Sequence, residues 1–87
     1  MIKGKTKSGF SYELDKDRLN NYELLEAIEE LEENPLVLSR VVNLLLGKDQ
    51  TKKLKDHIRN KDGIVPTEKI SEEITEIFQN QGETKNS

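Results

Sequence analysis

"PLVLSRVVNLLL", residues 35 to 46, sets eight Leu and Val side chains in twelve positions of a chain that is 36% Asp, Glu, Lys and Arg. Pro35 is tolerated at a first helical position, and Gly47 stands where a helix is commonly closed, so the segment reads as a helix. At about 100° per residue, Val37, Leu38, Val41, Val42, Leu44, Leu45 and Leu46 fill an arc of roughly 200°, with Leu36 outside it. Ser39, Arg40 and Asn43 share the polar wedge. An ordinary surface helix needs an apolar stripe only somewhat wider than about 100°. This helix is therefore expected either to run through the middle of a bundle or to offer a flank to a partner. Val37, Val41 and Leu45, with Arg40 beside them, are the candidate contact residues.

The rest of the chain supplies what such a helix would pack against. In "IKGKTKSGFSYEL", Phe10, Tyr12 and Leu14 alternate with Ser11 and Glu13, and Ser8-Gly9 has turn chemistry. That pattern predicts a β-hairpin whose apolar face must rest on helices, because two strands alone are marginal in water. Asn20 followed by Glu23 fits a capping box. Leu24, Leu25, Ile28 and Leu31 then predict an amphipathic helix that ends at Asn34-Pro35. A thin third helix, carrying Leu54 and Ile58, is expected from Asp49 to Gly63. A fourth carries Ile70, Ile74, Ile77 and Phe78 at i, i+4, i+7, i+8. The fold class expected is α+β, an N-terminal β-hairpin packed on a bundle of about four short α-helices. It forms one domain over residues 1–80, followed by a disordered polar tail at 81–87.

Composition narrows the chemistry. The chain has 87 residues, enough for one core. It has no Cys, so disulfides, thiolate zinc sites and thiol catalysis are excluded. "MIKGKTKSGF" has no apolar core of the kind a signal peptide needs, and no apolar run is long enough to span a bilayer. The expected location is cytoplasmic, in a reducing compartment, with no membrane association.

Three motifs imitate functional sites. "GKT" at residues 4–6 resembles the end of a phosphate-binding loop, yet the first Gly of that motif would precede residue 1. "DKDRLN" from Asp15, with Glu26, follows part of an EF-hand count, yet Asn20 stands where the loop requires Gly. His57, the single histidine, lies among Lys52, Lys53, Lys55 and Arg59 in a solvated basic helix. Any metal site or Ser-His-acid relay would need that residue, and nothing in its sequence surroundings favours one. Paired glutamates 29–30 and 32–33 read as a solvated face. No catalytic residue, metal site or cofactor is expected, and the protein is not expected to be an enzyme.

Charge is unevenly distributed. Residues 13–33 hold nine acids against Lys16 and Arg18, a local charge of 2 − 9 = −7. Residues 48–62 hold six bases against Asp49, Asp56 and Asp62, a local charge of 6 − 3 = +3. Two arrangements follow: the acidic and basic helices lie together within one bundle, or they attract each other between copies. Lys52, Lys53 and Lys55 are the candidate charged contacts. Overall acidity and the interspersed Asp make a nucleic-acid partner the weaker reading.

Taken in order, "KTKSGFSYELD", "NPLVLSRVVNLLLG", "LKDHIRNKDGIVP" and "EEITEIFQ" resemble a group of small proteins encoded by tailed phages and prophages of Gram-positive bacteria. The likeness runs from about residue 3 to residue 79 and is one of overall pattern. It implies a tail assembly chaperone or accessory tail protein in the host cytoplasm, with a protein partner such as the tape-measure or another tail protein. The wide apolar helix would supply the groove for such a partner, and the charge asymmetry allows further copies of the chain as partners. The alternative is a small regulatory or nucleic-acid-binding protein that uses the basic helix over residues 48–61.

Overall fold

The computed structural model describes residues 2–86, with side chains as far as Asn80. The tail expected over 81–87 lies outside the residues whose side chains are described. β1 (Ile2–Lys5) and β2 (Ser11–Leu14) pair antiparallel, with Ile2 opposite Leu14 and Gly4 opposite Tyr12. The connection closes where Thr6 N–H donates to Phe10 O and Gly9 N–H donates to Thr6 O, both at 2.9 Å. Gly9 takes φ 96°, the left-handed conformation that a three-residue hairpin loop needs. Alternation buries Phe10, Tyr12 and Leu14 and leaves Ser11 and Glu13 outside. Gly4 makes room for the Tyr12 phenol, which lies across it and would be struck by a Cβ at that position. The "GKT" stretch is thus strand and turn.

The connection after the hairpin contains a helix that periodicity did not reveal. α1 (Lys16–Leu19) is one turn, started by Asp15, whose carboxylate accepts from Asp17 N–H at 2.8 Å. Asn20 closes that turn, so the cap of α2 (Tyr22–Leu31) is Asn21, one residue later than the capping box suggested. Asn21 Oδ1 accepts from Glu23 N–H at 3.0 Å. α2 buries Leu24 and Ala27 and half-buries Ile28 and Leu31. Leu25, expected inside, faces out.

Residues 35–46 begin with a tight 3-10 turn, Pro35–Val37, whose cap is Asn34. α3 (Leu38–Ile58) follows and joins the second and third expected helices across a bend at Gly47, φ 80° and ψ 167°. The carbonyls loosened by the bend are recovered locally. Thr51 Oγ1 donates to Gly47 O at 2.7 Å, Gln50 Nε2 to Leu46 O at 2.9 Å, and Arg18 Nη1 to Leu44 O at 3.4 Å. Gln50 also donates to Glu13 O and accepts from Glu13 N–H, both at 2.6 Å, which fastens the outer edge of β2 to α3. α3 ends at Ile58, short of Gly63, because Asn60 Oδ1 accepts from the N–H of Asp62 and of Ile64 and turns the chain. α4 (Thr67–Asn86) then lays Ile70, Ile74 and Ile77 on the core.

Among the described residues, six of the fourteen buried apolar side chains come from α3, so this helix is the centre of the bundle. Val41 and Leu45 are 0% exposed, enclosed in one cluster with the hairpin, α2 and α4. The seam expected along Val41 and Leu45 is therefore corrected: the protein's own core consumes it. A chain this small has few other large apolar groups, and each fully buried Leu or Val is worth about 1.5–3 kcal/mol. The expected architecture, a hairpin on a helical bundle, is the one observed.

Candidate interaction surface

Of the large apolar side chains that the core leaves bare among the described residues, the most exposed lies just before α3. Leu36 is 86% exposed, because the 3-10 turn rotates it away from the face that Leu38 and Val41 bury. Leu36 lines one of two shallow apolar clefts, and Leu38 is the residue common to both. One, of about 420 Å³, runs between α2 and α4 and is lined by Ile28, Leu31, Ile74 and Phe78. The other, of about 330 Å³, lies between Pro35, Leu36 and Val42 on one side and Val65 and Ile70 on the other, with Lys55 at its edge. Ile28, Leu31 and Phe78 are only partly buried, so hydrocarbon remains accessible along this surface. The sequence does contain a signal for it. Leu36 is the one apolar residue of the stretch that falls outside the helical arc.

The seven residues singled out in the sequence are thus dispersed. Val41 and Leu45 are internal and Val37 is half-buried. Arg40 is exposed and reaches Glu23 of α2 at 3.8 Å. Lys52, Lys53 and Lys55 are all exposed on the second arm of α3. Among the described residues, no ion pair joins α2 to residues 48–62. The acidic and basic segments therefore make no direct ion pair with each other among the described residues.

Ser8, His57 and Glu73 do meet, and their geometry shows what they do. Thr6 Oγ1 donates to Glu73 Oε1 at 2.8 Å, and Ser8 Oγ donates to the same oxygen at 2.9 Å. His57 Nε2 lies 3.1 Å from Ser8 Oγ and 3.2 Å from Ser8 O. With the Ser8 proton directed at Glu73, His57 Nε2–H is left to donate to the serine. In a nucleophilic relay the imidazole accepts from the hydroxyl and the acid orients the imidazole. Neither relation holds here. The cluster is instead a clasp that ties the hairpin turn to α4 and to the second arm of α3, and Lys7 N–H donating to Glu76 Oε2 at 2.7 Å extends it. Among the described residues, no three His, Cys, Asp or Glu side chains gather as metal ligands, and no helix is long and apolar enough to cross a membrane.

No protein-family model, curated protein or solved structure matches this chain. Its role has to be read from its own residues and their pattern.

Proposed function

We propose that the protein is a non-enzymatic accessory of phage tail assembly, a tail assembly chaperone or accessory tail protein, working in the host cytoplasm by protein–protein contact. The pattern of residues 3–79 supports the phage reading. The observation that carries the mode of action is the exposed Leu36 on the wall of an apolar cleft whose other wall holds Val65 and Ile70. A bare leucine at such a cleft, with a second apolar cleft lined by Ile28, Leu31 and Phe78 across Leu38, is the kind of surface on which an amphipathic helix lays its apolar face. The occupant is a helical segment of the tape-measure protein, whose apolar stretches need cover before tail subunits assemble around it. A charged exterior keeps such a complex in solution.

The test is co-production with the tape-measure protein that this reading requires in the same genome, followed by affinity capture. Wild type should retain the partner, and Leu36→Glu should lose most of it while melting at the wild-type temperature, because Leu36 contributes little to the core. Equal capture by both, or no capture by either, would refute the proposal. Nucleic-acid binding through residues 48–61 is the second reading, favoured only by the exposure of Lys52, Lys53 and Lys55.

A further inference from the structure

A second surface is built from charge. β1 brings Lys3 and Lys5, α1 brings Arg18, and α3 brings Lys48 and Lys53 to a cleft of about 990 Å³ with Tyr12 and Leu46 in its lining. Glu13, Asp15 and Asp49 share it. Glu13 is matched by Lys3 at 3.8 Å, and Asp15 holds the first turn of α1. Lys5, Arg18, Lys48 and Lys53 form no ion pair among the described residues. Three separate segments thus converge on a polar cleft lined by five bases and three acids, a net charge of 5 − 3 = +2.

The complementary surface is on α2. Tyr22, Leu25, Glu26 and Glu29 follow i, i+3, i+4, i+7 and form one outward face, flanked by Glu23 and Glu30. Tyr22 is 70% and Leu25 54% exposed, which puts two apolar anchors inside a ring of carboxylates. Among the described residues, Glu23 on the flank is paired with Arg40, and Glu26 and Glu29 form no ion pair. No residue of α2 lines the basic cleft of its own chain, since α2 packs on α3 through its other face. A helix turn with side chains displaces roughly 500 Å³, so the cleft is on the scale of two turns.

We propose that this cleft receives the outer face of α2 from a second copy, so that the protein associates head to tail. The contact is heterologous, and repeated copies close into a ring or extend as a filament. Opposite charge steers such an encounter, with Tyr22 and Leu25 supplying the apolar centre. A nucleic acid would meet the same bases and the same Glu13 and Asp49, but brings no counterpart to the Leu25 side chain for the apolar Leu46 of the lining. This inference does not depend on the tail-assembly reading.

Sedimentation velocity across a concentration series tests it. In about 50 mM salt the mean mass should rise above the 10.0 kDa monomer, and the association constant should fall at least about tenfold in 500 mM salt. Lys48→Glu with Lys53→Glu, and separately Glu26→Lys with Glu29→Lys, should each give a folded monomer, since all four side chains are exposed. Mixing the two variants should restore association, because each then offers the other a matching surface. A monomer at every salt concentration overturns the proposal. So does association that survives both charge reversals, or a mixture that stays monomeric. DNA retardation that is lost in the Lys48→Glu, Lys53→Glu variant, with wild type monomeric throughout, would assign the cleft to nucleic acid instead.

Discussion

Gly47 holds a conformation, φ 80° and ψ 167°, that only glycine occupies readily, and the two arms of α3 meet at it. Gly47→Ala should cost about 1–3 kcal/mol in urea unfolding, a large share of the roughly 4–13 kcal/mol expected of a domain this size. The Arg18 guanidinium stands where the new methyl group would go, 2.9 Å away, but a flexible side chain can yield. The backbone sets the penalty. Glu73 is the second residue on which the fold is sensitive. Its carboxylate is 7% exposed and accepts from both Thr6 and Ser8, so Glu73→Ala leaves a buried hydroxyl without its acceptor. A loss of about 1.5–3 kcal/mol is expected, and a double-mutant cycle with Thr6→Val should show the two changes to be less than additive. Gly47 was legible as a stop signal, though its extended ψ was not. Glu73 was not legible at all, because it is one more glutamate in "EEITEIFQ" and its burial is caused by a hairpin turn 65 residues away.

At the scale of elements, α3 is the organising part. Leu45→Ala should destabilise by about 2–5 kcal/mol, and Leu45→Glu should abolish cooperative unfolding, because a carboxylate there has neither water nor a partner. The same glutamate at Leu36 should leave the melting temperature unchanged within about 2 °C, since surface changes away from such features are small. Circular dichroism on the three variants checks this ordering. Period-two alternation located β2, and the 3.6-residue period located α2, both arms of α3 and the described part of α4. A single turn such as α1 has no period to read, and missing it displaced the α2 cap from Asn21 to Asn20. Periodicity also cannot say which flank of a wide apolar arc its neighbours cover. Val41 and Leu45 looked available for that reason, and three packed elements took them. Leu25, counted toward the core in the sequence, faces outward because the buried stripe of α2 centres on Leu24, Ala27 and Leu31.

For the whole molecule, the apolar clefts that meet at Leu38 and the basic cleft near Lys48 are separate surfaces. They share no lining residue, so substitutions in one should not disturb the other. Leu36→Glu is expected to leave self-association intact, and Lys48→Glu with Lys53→Glu is expected to leave capture of the tape-measure segment intact. Sedimentation and affinity capture on both variants would show the cross-effects if the surfaces were one. The four ion pairs among the described residues are exposed on both sides, each worth at most about 1 kcal/mol, so they scarcely hold the fold together. Their weakness leaves most of the charge free to act between molecules. The most direct measurement is a calorimetric titration of a tape-measure helical segment into wild type and Leu36→Glu at matched stability. The account predicts binding at least about tenfold weaker in the variant, from the apolar area that one leucine no longer contributes. Identical affinities would contradict it.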